Sequence, residues 1–227
     1  HHTGSVGKFH SHDLRGTGRD TAGTYSGFKI AANSIGIGVF ERVGLGDDKG
    51  IGVVADEFLF VSIKDAANFR FLLPDEWESA IDGIDMLLIA SAWKGIGEEW
   101  RGAAKEGNEK RHILYQIIDQ CKQRGITTVF YSKEDPPNYQ YFLGLAQKCD
   151  YIFTTCLEVT ENYRNDCANE RVDVLKFGIN PLFHNPVGMR SENKREGVIF
   201  SGSWMNKYPE RQVDMKALLD GVCLSGV

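Results

Sequence analysis

From residue 50 to residue 177, short β-branched and aromatic runs take turns with segments whose apolar residues recur at helical spacing. This alternation leaves few folds open. Strands separated by helices run parallel, and a parallel sheet has to be covered on both faces. Residues 50–54, 86–90, 126–131, 151–155 and 172–177 read as strands. A helix is expected over 74–81, where Pro74, Asp75 and Glu76 suit a helix start. Another is expected within 104–124, where Ile113, Leu114, Ile117, Ile118 and Cys121 share a face and Gly125 stands at the C-cap. Residues 139–148 and 159–166 complete the helices. The expected fold is α/β: a Rossmann-like parallel sheet with helices on both faces, preceded by a short β-rich segment.

The flanks are organised differently. His1-His2-Thr-Gly-Ser reads as a tag remnant, so residues 1–6 carry no fold information. Residues 7–48 are rich in Gly, Thr and Ser, with β-leaning runs at 25–30 and 35–42. Gly16-Thr-Gly18 and Gly36-Ile-Gly38 lack the third glycine of a dinucleotide-binding turn, and Gly44 to Gly50 lacks the Gly-Lys-Ser/Thr close of a phosphate loop. Both motifs are rejected. The Rossmann-like domain is expected over 49–180, and a connector over 181–196, where Pro181, Pro186 and Gly188 precede a charged run. Residues 197–227 read as the truncated start of a second domain, with a strand at 197–200, a glycine turn at Ser201-Gly202-Ser203 and a helix over 210–219. One β-α unit cannot bury its own apolar face.

A net charge of −5 argues against a nucleic-acid partner, which calls for a basic face. No apolar run is long enough to cross a bilayer and no signal-peptide pattern opens the chain, so a cytoplasmic protein without a transmembrane segment is expected. The five cysteines form no Cys-x-x-Cys pair and several occupy apolar positions, which reads as reduced core residues. His10 and His12 have no further ligand near them, and no metal is expected.

Three clusters at strand-to-helix junctions carry candidate chemistry. In Ser91-Ala-Trp-Lys-Gly95 and onward to Trp100, Trp93 and Trp100 suit stacking on a sugar ring or base, or else anchoring of the loop on the sheet. In Ser132-Lys-Glu-Asp-Pro-Pro-Asn-Tyr139, the two prolines stiffen the chain and hold Glu134 and Asp135 in extended backbone at the carboxyl end of a strand. Open α/β sheets bind ligands there. A salt-bridged turn is the plainer alternative. In the third, a glycine turn entering a helix beside Lys207 and Arg211 suits a phosphate, although basic helix starts are also common as solvated surface.

These segments together carry a resemblance. Asp56-Glu-Phe, Ser91-Ala-Trp-Lys-Gly, Lys133-Glu-Asp-Pro-Pro-Asn-Tyr, Asp150-Tyr-Ile-Phe-Thr-Thr, Phe177-Gly-Ile-Asn-Pro and Phe200-Ser-Gly-Ser-Trp with Lys207-Tyr-Pro-Glu-Arg211 occur in this order. Over roughly 50–220 the chain resembles the CgeB-like (spore maturation protein) glycosyltransferases, which have the two-domain GT-B architecture. The resemblance implies sugar transfer from a nucleotide-sugar donor, acting as co-substrate, to a glycan, protein or small-molecule acceptor held by the N-terminal domain. It implies no tightly bound cofactor and no metal. Glu134 or Asp135, then Glu57, are the implied general base. Gly202, Ser203, Lys207 and Arg211 would face the donor phosphates. Asp56, Ser91, Trp93, Trp100, Asn138 and Asn180 would line the substrate side. Most of the C-terminal domain is missing from this pattern, so the chain alone is expected to transfer little. A non-catalytic glycan- or nucleotide-binding module is the alternative.

Overall fold

The computed structural model describes residues 49–178, 180, 197–202, 204 and 206–225. These fall into two compact units divided between Asn185 and Pro186. In the first, β1 (Gly50–Val54) leads through α1 (Glu57–Ile63) to β2 (Asn68–Phe71), and a short α2 (Trp77–Ala80) precedes β3 (Met86–Ala90). Then come α3 (Glu109–Gln123), β4 (Thr127–Ser132), α4 (Tyr139–Ala146), β5 (Tyr151–Thr154), α5 (Thr160–Cys167) and β6 (Val172–Val174). The six strands form one sheet in the order β2-β1-β3-β4-β5-β6, and every pairing is parallel.

The sequence explains the layering. All five residues of β3 are buried, as a strand covered on both faces requires. One face collects Ile51, Val53, Leu88, Val129 and Tyr131 with Leu59 and Ile63 of α1. The opposite face collects Val54, Leu87, Ile89 and Phe130 with Leu114, Ile117, Ile118 and Cys121 of α3 and Phe142 and Leu145 of α4. The chain therefore changes face between β1 and β3, which makes their carboxyl ends a topological switch point.

Aspartates fasten the amino edge. Gly50 N donates to Asp85 Oδ2 at 3.0 Å, and Lys49 Nζ pairs with Asp85 Oδ1 at 3.0 Å. Thr128 donates to Asp150 Oδ2 through its N (2.9 Å) and its Oγ1 (2.7 Å). At the end of α3, Gly125 takes φ +73, the left-handed conformation that stops a helix.

Several boundaries differ from the expected ones. Residues 74–76 form a turn, Glu76 N donating to Leu73 O, and the helix there shrinks to α2. α3 begins only at Glu109, because Asn108 caps it by accepting from Lys110 N, and the preceding Gly102 and Gly107 have φ of +96 and +74. The short α1 and the β2 strand have no counterpart among the expected elements. In the second unit α6 (Pro209–Ser225) is longer than expected and has no buried residue. The strand expected at 197–200 does not form: among the described residues nothing pairs with it, and Ile199 is 85% exposed. Cys121 and Cys149 are core residues, Cys156 and Cys167 half-buried and Cys223 exposed, so the core reading holds for the first two. The β-leaning runs before residue 49, His10, His12 and the 181–196 connector lie outside the described residues. Among those described, no helix is long and apolar enough to cross a membrane.

Trp100 is the largest fully buried side chain among the described residues, and its Nε1 donates to Leu72 O at 2.9 Å. Trp100→Ala is expected to cost about 3–5 kcal/mol in urea unfolding. A loss below about 1 kcal/mol would show that this loop is not anchored through the tryptophan.

Candidate functional site

The carboxyl ends of β1, β3 and β4 are tied into one network. Asp56 stands at the N-cap of α1, yet its carboxylate does not cap that helix. It crosses the switch point instead. Lys94 N (2.9 Å) and Gly95 N (2.8 Å) donate to Oδ1, and Trp93 N (3.1 Å) donates to Oδ2. Lys133 Nζ lies 3.2 Å from Asp56 Oδ2 and 2.6 Å from Glu134 Oε1. Asn138 Nδ2 donates to Glu134 Oε2 at 3.1 Å. Lys133 N donates to Ser91 Oγ at 2.9 Å, which braces β4 against β3.

Local sequence dictates this arrangement. Gly95 has φ +71, and a Cβ there would meet Trp100 Cδ1 at 2.7 Å, so only glycine lets the loop turn over the buried indole. Glu134 lies in a bend and Asp135 opens a turn, closed by Asn138 N donating to Glu134 O at 3.2 Å. This corrects the extended backbone expected for the two acids: the prolines stiffen a turn. The Asp135 carboxylate is taken up within the fold, accepting from Thr154 Oγ1 at 2.6 Å and from Tyr163 OH at 3.2 Å. Burial and the neighbouring Asp135 push the Tyr163 hydroxyl up, so it stays a donor.

The other expected site residues divide clearly. Glu57 is exposed in the first turn of α1, beside Asp56. Trp93 is half-buried, held edge-on by Tyr141 (centroids 5.6 Å apart) and Phe142 (5.2 Å). Trp100 offers no face to a ligand, because it fills the core beneath the loop. Ser91 is fully buried and spent on Lys133 N. Asn180 is buried, with Nδ2 donating to Asp65 Oδ2 at 2.8 Å, so it ties the chain after β6 back to the end of α1. In the second unit Gly202 lies in an exposed bend, Arg211 in the first turn of α6, and Lys207 Nζ 4.9 Å over the Tyr208 ring. Ser203 lies outside the described residues.

The sequence pattern missed a cavity of about 450 Å³ beside Trp93, lined by Tyr141, Lys94, Arg101, Lys105 and Asn108. Its signal was the recurrence of three cations within a glycine-rich loop. Lys133 was also overlooked, although it stands inside the motif that named Glu134.

Burial alone would raise the Asp56 carboxyl, but the N–H groups of Lys94, Gly95 and Trp93 and the Lys133 ammonium together hold it below the ordinary value. The folded pKa therefore lies under the unfolded one, and the unfolded chain binds more protons as the pH falls through that window. The stabilisation is complete above the unfolded value and is lost as the pH falls through the folded value. Asp56→Asn is expected to cost on the order of 2 kcal/mol near neutrality. The gap to wild type should close as unfolding is measured from about pH 4 downward, and a constant gap would exclude the charge as its cause.

No protein-family model, curated protein or solved structure matches this chain.

Proposed function

We propose that this chain is the acceptor-holding half of a CgeB-like glycosyltransferase of GT-B architecture, moving a sugar from a nucleotide-sugar donor to a glycan, protein or small-molecule acceptor. The observation that carries this reading is the meeting of Asp56, Lys133 and Glu134 at the carboxyl edge, beside the β1–β3 switch point. A carboxylate fixed there suits deprotonation of an acceptor hydroxyl.

Glu134 takes that role in preference to Asp135. Its side chain keeps 22% of its surface exposed, whereas the Asp135 carboxylate already accepts from Thr154 and Tyr163. Glu57, exposed in the first turn of α1, is the reserve candidate. Asp56 acts indirectly, by setting the Trp93–Gly95 loop and the Lys133 ammonium. Gly202, Lys207 and Arg211 take the donor diphosphate, where basic side chains stabilise the leaving group and no metal is called for.

One observation favours a binding module instead: both Glu134 oxygens are already engaged, by Lys133 and by Asn138. Release of nucleoside diphosphate by the intact protein, screened over donors, separates the two. Under the transferase reading Glu134→Gln lowers kcat about 10²–10⁴-fold while acceptor binding persists. Wild-type turnover in that variant sinks Glu134 as the base. Acceptor binding with no release from any donor makes the chain a binding module.

A further inference from the structure

We propose that the cavity bordered by Trp93 and Tyr141 binds a small ring compound carrying a phosphate ester, the phosphate on Lys105 and Arg101 and the ring on the exposed side of Trp93 and Tyr141. Its volume of about 450 Å³ is that of a small-molecule site. One wall is aromatic. Trp93 packs edge-on against both Tyr141 and Phe142, which fixes its orientation in advance. Sugar rings and bases both present flat apolar faces to such a wall.

The rest of the lining carries a surplus of positive charge. Three cations lie in it, and one carboxylate serves two of them: Glu98 pairs with Lys94 at 3.0 Å and with Arg101. Lys105 is exposed and has no ion-pair partner among the described residues. A fourth cation lies behind the lining. Arg111 is fully buried, and its Nη2 donates to Ala104 O (3.0 Å) and to Tyr141 O, both residues of the cavity wall. Arg111 Nε and Nη1 have no hydrogen-bond partner among the described residues, and the nearby Glu106, 3.5 Å from Nε, is mostly exposed.

This guanidinium, answered among the described residues only by the mostly exposed Glu106 and by the Tyr115 ring 5.7 Å from its Cζ, adds to the positive potential of the adjoining space. An anion is the ligand that space favours, and a phosphate matches the guanidinium fork of Arg101. Neutral glycans would use the aromatic wall and leave this charge unanswered. Naming the ligand as the acceptor rests on the transferase reading, whereas the binding itself does not.

Isothermal titration of the full chain tests this with glucose 6-phosphate and uridine monophosphate as probes, and with glucose, uridine and inorganic phosphate as controls. At least one probe should bind saturably, and about tenfold more tightly than every control. The stronger probe identifies the ring as sugar or nucleoside. Lys105→Ala, at an exposed and unpaired position, should weaken that probe about tenfold, as should Trp93→Leu, and added salt should weaken it further. Circular dichroism and urea unfolding establish that both variants fold, and Lys105→Ala decides if Trp93→Leu does not.

Failure of both probes to bind overturns the proposal, as does inorganic phosphate matching them or Lys105→Ala binding like wild type. Binding without turnover in the donor screen rejects the transferase and keeps this site. Turnover without probe binding does the reverse.

Discussion

One carboxylate, that of Asp56, holds the carboxyl edge of the sheet together. Parallel pairing brings the ends of β1 and β3 side by side, but it leaves the N–H groups of the following loop without ladder partners. Asp56 accepts from three of them in succession and meets Lys133 from the next strand. Two features of the candidate site depend on this contact: the backbone path from Trp93 to Gly95 and the position of the ammonium that engages Glu134. In many open α/β proteins such N–H groups face a bound anion. Here the protein supplies that anion itself, and the ligand-accessible positive charge lies further along the loop.

The fold was legible because β1 and the strands from β3 to β6 declare themselves by composition and α3 by spacing. Gly50–Val54 and Met86–Ala90 fall where the apolar runs predict. The failures have physical causes. α1 spans seven residues, Glu-Phe-Leu-Phe-Val-Ser-Ile, whose apolar character reads equally as strand or helix. β2 is four residues of alternating burial at a sheet margin, too short for periodicity to separate from a loop. Residues 197–200 have strand composition, yet composition does not provide a neighbour to pair with.

The site was legible by position and less so by role. Sequence placed Glu134, Asp135 and Trp93 at strand ends, and the fold puts them there. Roles depend on partners far apart in the chain. Ser91 meets Lys133, Asp135 meets Thr154 and Tyr163, and Asn180 meets Asp65. Trp93 and Trp100 look alike in sequence. Only the close approach at Gly95 and the carbonyl of Leu72 show that the second is an anchor.

Glu98 gives the cationic wall a further property. Its carboxyl is drawn down to about 2 by hydrogen bonds from Arg101 and Lys94, so it remains an anion across the physiological range. The wall thus carries a tethered counterion, and an incoming anion enters by exchange rather than by simple addition. Exchange makes the loop discriminate by charge density: a singly charged guest gains little by displacing a carboxylate, while a dianion gains more. The carboxylate that pairs with Lys94 and Arg101 therefore sets a threshold on what this wall can take up.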